Sequence, residues 1–412
     1  MTAIQARADR GQNGPRPEVV LLDGAARPGA KILVSGGSRC NVTNTVVSER
    51  DFWGGKLTIV RRVLRTFPVD ETVRFFDGLG VALREEPGGK LFPVSNRSRD
   101  VLDALLRAVD AAGVELLSAT RVTSVERRDG LFEVASSRET LIADVVVLAT
   151  GGQSLPKTGS DGAGYGFARA FGHTIVTPTP ALAPLLLDAS DPYGIHRDLS
   201  GVSQEVEISV WIDDALSEQL DGAMLWAHFG VSGPVMLNAS RHWERAKVQE
   251  RRVRLTVNFF PGRSFSAVDE AWIAAARSRP TATVRSTLAG SLPDAVAAAI
   301  PRAIGLDGDI SLANLSREDR RRLVHALVAW PLPVTGTRGY NYAEVTAGGV
   351  PLTEIDPSTM ESRLCPGLFL VGEILDVDGR IGGFNFQWSW ATGKTAGRAL
   401  AARSWTPLSR RG

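Results

Sequence analysis

"ADVVVLATGG", Ala143 to Gly152, decides the fold class. Its apolar run continues through Val145, Val146, Val147, Leu148 and Ala149 without alternation, so the strand it forms has no wet face and belongs in a covered, parallel sheet. It closes in a Gly-Gly turn, at the strand end where open α/β sheets bind ligands. Two further runs share its character: "EVVLLD", Glu18 to Asp23, and "GLFLVGE", Gly367 to Glu373. Between the first and second, helical spacing covers Leu57 to Leu79 and Arg99 to Ala112. "VELLSATRVTSVERRDGLFEVASS" follows, and its alternation around Asp129-Gly130 predicts a β-hairpin.

The expected class is α/β, with a Rossmann-like parallel sheet, an inserted β-rich domain and a small helical domain. Residues 1–176 and 351–412 carry the sheet, 177–262 are β-rich through "EVEISVWID" and "RRVRLTVNFF", 263–330 are helical, and 331–350 return to the β-rich part.

With 47 Lys+Arg against 45 Asp+Glu over 412 residues, no global field points to nucleic acid or a membrane surface. The two cysteines, Cys40 and Cys365, lie far apart, which argues against a disulfide scaffold or a structural zinc site and fits a reducing cytoplasm. The start lacks a signal-peptide apolar core, and no apolar run is long enough to span a membrane. The five histidines show no H-E-x-x-H pattern, so no metal is expected.

Asp23 ends its strand in a carboxylate, which suits the two hydroxyls of a ribose and equally suits an ordinary turn. "KILVSGGSRCNVTN", Lys31 to Asn44, reads as a bare polar loop: Gly36 and Gly37 admit a ligand close to the backbone, while Arg39, Asn41 and Asn44 supply donors. It is not a Walker loop, because no Gly-Lys-Ser/Thr follows. Cys40 is either a reactive thiol or a small core residue, and Arg39 either an anion anchor or a structural ion pair. Thr150, Gly151 and Gly152 form the strand-end turn. In "VGEILDVDGRIGGFNFQWSWATGKTAG", Gly372 and Glu373 precede Asp376 and Asp378, and Gly383 opens a helix at about Asn385 and Phe386.

Four stretches, "PGAKILVSGGSRCNVTN", "VVLATGGQSLPKTGSDGAGYGFARAFGHTI", "LWAHFGVSGPVMLNAS" and "AEVTAGGVPLTEIDPSTMESRLCPGLFLVGEILDVDGRIGGFNFQWSWATG", span Pro28 to Gly393. Through them the chain resembles the bacterial FAD-dependent oxidoreductases of the aminoacetone-oxidase-like and bile-acid-inducible-N-like kind, whose fold is of the glutathione reductase type. The resemblance implies FAD at the C-terminal strand ends, with Asp23 at the ribose, Val122 meeting adenine through its backbone, and Lys31 and Gly36 near the flavin. Glu373 and Asp376 would lie near the ribityl chain and pyrophosphate, and Asn385 with Phe386 near the pyrimidine edge. It also implies a small organic substrate exchanging a hydride or electron pair with the flavin, and NAD(P)H as a candidate electron donor.

Members of this family begin with a strand, a glycine fingerprint and a helix, whereas this sequence starts at "MTAIQARADRGQNGPRPEVVLLD", where "TAIQARA" looks like the middle of that helix. The expectation is a start internal to the true reading frame, or a shortened relative with weak FAD binding. "GAGYGFA", Gly162 to Ala168, fails as a substitute because its third glycine is one position early and loop precedes it. The rival from another class is a non-catalytic flavin or nucleotide sensor.

Overall fold

A computed structural model describes residues 1–7 and 17–405. Most of the segment "GQNGPRP", read as a loop, and the end of the first helical reading at Arg10 lie outside the described residues. The chain divides into two compact units, Met1–Pro178 with Glu344–Gly412, and Thr179–Ala343. Five segments were read from the sequence, and the helical 263–330 shares its unit with the β-rich strands. The fold is α/β and Rossmann-like, with a parallel core and inserted β-rich and helical parts.

In the first unit Val20–Leu22 pairs in parallel with Glu115–Leu117, and Val146–Leu148 with Leu368–Leu370. All three apolar runs therefore become parallel strands. They form two separate pairs rather than one sheet, since among the described residues no strand hydrogen-bonds to both. The hairpin Val122–Arg128 and Leu131–Ser136 turns at Asp129 (φ 50°) and Gly130 (φ 84°), the two positive φ values a two-residue hairpin turn requires. Thr140–Ala143 adds a third antiparallel strand that the hairpin reading lacked.

Helical spacing over Leu57 to Leu79 resolves into two helices, Leu57–Leu64 and Val69–Gly78. Pro68 separates them, because proline disfavours helical backbone in the residue before it. Ser98–Ala111 matches its expected helix. The short N-terminal helix, Thr2–Ala6, lies against the last helix, Phe384–Ala401, so closely that a Cβ on Gly397 would stand 2.4 Å from that of Gln5.

That last helix organises the core of the unit. Trp388 and Trp390 are both buried, Trp390 edge-on to Phe76 at 5.4 Å and Trp388 against Phe52 at 6.2 Å. Next to Trp388, Gln387, 1 % exposed, accepts hydrogen bonds from the hydroxyls of Thr43 (2.7 Å) and Thr72 (3.0 Å) and donates to the Phe67 carbonyl (2.7 Å). One amide thus ties the last helix to three other segments, and buried polar groups of this kind are costly to orphan.

The second unit holds a seven-stranded antiparallel sheet in the order Trp330–Leu332, Val253–Asn258, Ser203–Ile212, Ala215–Ala227, Gly230–Ser232, Leu185–Leu187, Val334–Thr337. Four helices, Phe265–Ser278, Val284–Ala289, Asp294–Ala303 and Arg317–Val328, share its apolar core. Ser264, Thr283 and Ser316 cap three of them by accepting a backbone N–H in the first turn. No described helix is long and apolar enough to cross a membrane.

Two outcomes follow from these cores. Gln387→Leu keeps the volume but strands the Thr43 hydroxyl and the Phe67 carbonyl and leaves the Thr72 hydroxyl only a 3.4 Å bond to the Pro68 carbonyl, so urea unfolding should show a loss of about 2 kcal/mol or more. An unchanged midpoint would remove Gln387 from its linking role. In the helix Pro234–Val248, burial, aided by the charge of Arg241, depresses His242 from 6.5 to about 3. Because the unfolded chain protonates this ring first, its contribution is complete above pH 6.5 and is lost as pH falls towards 3. The slope is at most about 1.4 kcal/mol per pH unit. His242→Gln should flatten the acid limb of stability against pH in the same denaturation assay.

Candidate functional site

Lys31 sits in the first turn of a helix that the sequence reading had as loop. Ala30–Ser38 begins after Gly29 in a left-handed conformation (φ 83°) and breaks at Ser35 (ψ 148°), Gly36 (φ 55°) and Gly37 (φ 67°). Adjacent glycines obscure the helix in the sequence, because they signal a turn whether or not helical residues precede it.

From that first turn the Lys31 ammonium donates to Glu373 Oε2 (2.5 Å) and Ser154 Oγ (2.6 Å). Glu373 Oε1 accepts from Ser154 Oγ (2.9 Å) and from the Thr346 N–H (3.0 Å), while Thr346 Oγ1 accepts the N–H groups of Gln153 and Ser154. One carboxylate therefore collects the helix, the turn after "LATGG" and the strand Val345–Gly349. Gly152 lies inside this knot: a Cβ there would stand 2.4 Å from Thr346 Oγ1 and 2.8 Å from Glu373 Oε1. Ser154 and Thr346 were absent from the sequence reading. Their only local signal is a hydroxyl beside a Gly-Gly turn in "TGGQS" and "VTAGG".

The glycine break forms a second patch. A Cβ on Gly36 would meet the Asn41 backbone nitrogen at 2.9 Å, whereas one on exposed Gly37 would meet nothing within 4 Å. Asn41 is buried, 8 % exposed, and its Oδ1 has no hydrogen-bond partner among the described residues. Asn44 donates to the Gly88 and Gly382 carbonyls. Gly383 (φ 95°) presses on Thr43, whose carbonyl oxygen would stand 2.5 Å from an added Cβ. The polar segment is thereby fixed to the start of the last helix.

Arg39 and Cys40 have other duties. Arg39 grips Glu86 with two hydrogen bonds from one nitrogen (2.8 and 3.0 Å) and lies 4.1 Å over the Phe92 ring, which is the geometry of a structural ion pair. Cys40 is fully buried, and that burial pushes its thiol up to about 12 even though a hydrogen bond with Ser35 opposes the rise. A thiol so placed is a core residue and not a nucleophile.

A third patch surrounds Asp23. Its Oδ1 accepts the Ala25 N–H (2.8 Å), while its Oδ2 has no partner among the described residues. Its carbonyl accepts the Thr120 N–H, which brings the strand beginning at Val122 to the same corner. Thr150 packs under the helix Ala163–Ala170, at whose Gly164 a Cβ would stand 1.8 Å from Thr150 Oγ1. Gly151 adopts φ 71° beside Ser160.

The C-terminal residues are more internally engaged than the sequence suggested. Asn385 spends both side-chain groups on the Gly379 backbone (2.8 and 2.9 Å), closing the loop, so only its main chain is available to a ligand. Phe386 stacks on Trp390 at 5.5 Å. Gly372 donates its N–H to Thr392, and the Asp376 carbonyl backs onto Gly54.

These residues fit a flavin cofactor in part. Backbone left bare at Gly37, an orphaned buried acceptor at Asn41, a half-free carboxylate at Asp23 and a fixed cation at Lys31 suit a polar planar ligand with a sugar-bearing tail. No described helix start offers a G-x-G-x-x-G turn to the pyrophosphate.

Comparison with known proteins agrees with this fold. The family model described as the HI0933-like protein Rossmann domain matches residues 1–399. The chain is 32 % identical over 389 residues to the 3-dehydro-bile acid delta(4,6)-reductase of Clostridium scindens, covering 94 % of this chain and 93 % of that protein. It is 31 % identical over 401 residues to the ribosomal RNA dihydrouridine synthase of Escherichia coli, covering 95 % and 94 %. Among solved structures, the E. coli quinol fumarate reductase subunit FrdA aligns with a TM-score of 0.48 at 14 % identity, over 97 % of this chain and 68 % of that one.

Burial of Cys40 makes a direct forecast. Under native conditions iodoacetamide should leave it unmodified, with alkylation appearing only on denaturation, as read by mass spectrometry of the tryptic peptide. Native labelling at the rate of a free thiol would return Cys40 to the list of reactive groups.

Proposed function

We propose that this chain, which belongs to the HI0933-like family of Rossmann-domain proteins, is an FAD-dependent reductase of a carbon–carbon double bond conjugated to a carbonyl group. The finer kinship, with the aminoacetone-oxidase-like and bile-acid-inducible-N-like flavoproteins, is part of this proposal. Two relatives support the reaction class by their names. A delta(4,6)-reductase of a 3-dehydro-bile acid saturates double bonds next to a ketone, and a dihydrouridine synthase saturates the ring double bond of uridine beside its carbonyl. In both substrates the carbonyl withdraws electrons and leaves the far carbon of the double bond open to hydride.

The observation that carries the reading is the Lys31–Glu373–Ser154 knot beside the glycine break. When bound, FAD supplies a hydride equivalent from its reduced ring, and the protein's task is to position that ring and tune its charge. Asp23 would hold the ribose hydroxyls through its free oxygen, and the main chain near Val122 the adenine. Gly36, Gly37 and Asn41 would receive the flavin side, with Asn41 Oδ1 accepting an N–H. Thr150, Gly151 and Glu373 would face the ribityl chain. At Gly383 to Phe386 the first N–H groups of the last helix, which lack intrahelical partners, favour negative charge, which a reduced flavin carries at its pyrimidine edge. NAD(P)H is the proposed electron donor.

Purified protein reconstituted with FAD should show the yellow flavin bands, bleach anaerobically with NADH or NADPH, and regain colour when a steroid 4-en-3-one or a uridine-containing RNA is added. Glu373→Gln should weaken FAD retention by about tenfold or more, near 1.4 kcal/mol, because it removes the charge that fixes Lys31. A chain that stays colourless, or a reduced flavin that no conjugated carbonyl compound reoxidises, contradicts the proposal.

A further inference from the structure

We propose that Arg338, in the second unit, anchors an oxyanion-binding site for a carboxylate or phosphate carried on a planar organic body. Its guanidinium lies 3.4 Å from the centre of the Tyr342 ring and 4.5 Å from that of Phe229. Arginine stays charged at every accessible pH and carries five N–H donors in one plane. Contact with the rings engages the π-face of the guanidinium, while its N–H donors lie in its plane. Among the described residues no acceptor meets that edge: Arg338 makes no side-chain hydrogen bond and no ion pair, and only its backbone N–H is engaged, by the Pro184 carbonyl.

What sets Arg338 apart in its unit is the pair of rings it touches, not the lack of an acid alone. Arg251, Arg252, Arg302, Arg320 and Arg322 are each paired with an aspartate. Arg254 and Arg321 each cover a single ring, Trp211 and Phe265. Arg338 touches two rings and has no acid.

The arrangement is held in place before any ligand arrives. Arg338 follows the strand Val334–Thr337, and the Pro184 carbonyl fixes its main chain at 2.9 Å. Tyr342 closes the turn by donating its N–H to Gly339 (3.0 Å), with Gly339 at φ 68°. Thr337 accepts the Gly339 N–H and donates its hydroxyl to Glu244 Oε1 (2.5 Å), and that carboxyl forms no ion pair with the arginine among the described residues. Phe229 stands in the turn between Ala215–Ala227 and Gly230–Ser232, its carbonyl accepting the Leu187 N–H. Ordering costs that usually oppose binding are thereby reduced. Tyr342 keeps half its surface, 50 %, open to solvent, which leaves room for a flat group to stack while its anionic end meets the guanidinium edge in two-point fashion.

The source of the oxyanion is either a small carboxylic acid or the phosphodiester of a single-stranded nucleic acid, where a base would stack on the ring. This site does not depend on the flavin reading, because its test reads anion binding and needs no redox turnover. Calorimetric titration of the purified protein with benzoate, benzamide and a short oligouridylate, following flavin absorbance to detect any displaced cofactor, separates the possibilities. Benzoate or oligouridylate should bind and benzamide should not. Tighter benzoate assigns the site to a carboxylic acid, and tighter oligouridylate to a nucleic acid strand. Arg338→Leu should abolish binding. Arg338→Lys, which keeps the charge but loses the planar fork, should weaken it about tenfold, with circular dichroism confirming that both variants fold. Binding that survives in Arg338→Leu, equal binding of benzamide, or no binding of either anion at millimolar concentration overturns the proposal.

Discussion

The first unit depends on a single carboxylate. Glu373 stands at the end of the strand Leu368–Leu370 and accepts hydrogen bonds from Lys31, Ser154 and the Thr346 backbone, partners drawn from three separate parts of the chain. Lys31 and Glu373 are 342 residues apart in sequence, so the bond closes a very long loop. Neither side chain is fully exposed, at 28 % and 14 %. Screening by water is therefore incomplete. Removing either partner strands a half-buried charge, and that penalty makes the arrangement specific to this fold rather than to any collapsed chain.

Close approach around that carboxylate is possible only with glycine. Gly152 has no space for a Cβ between Thr346 and Glu373, and Gly383 none against Thr43. Gly383 also holds φ 95°, a conformation that costs a side-chain-bearing residue roughly 1–3 kcal/mol. The same absence of side chains that packs these turns tightly bares their N–H groups. Packing and ligand access at these two turns thus come from one choice of residue.

Much of the first unit was legible because its signals are local. Continuous apolar runs gave the three parallel strands, and Asp129-Gly130 gave its hairpin turn through the φ values that pair tolerates. What escaped the reading was set by distant neighbours. Cys40 is inert because other segments bury it, a property its flanking "SGGSRCN" does not carry. The Asn385 side chain binds the Gly379 backbone six residues earlier, a pairing that composition does not reveal. Ser154 and Thr346 become partners only when two strand ends meet. The helix over Ala30–Ser38 was hidden because glycine's turn signal outweighed the helical spacing of the residues before it.

Charge is distributed in a way that separates holding from recognising. In the first unit cations near the candidate site are consumed internally: Lys31 by Glu373, Arg39 by Glu86, Arg380 by Asp51. Apart from the half-engaged Asp23 carboxylate, the groups left for a ligand there are neutral or dipolar: an amide oxygen at Asn41, bare main chain at Gly37 and the N-terminal end of the last helix. Such groups suit a cofactor whose charge changes during its cycle, because a full positive charge pressed on the ring would bias one redox state far more strongly than a helix dipole does. A fixed, uncompensated cation is better placed where a ligand's charge is constant. Arg338 in the second unit has that character, held against two rings and left without an acid.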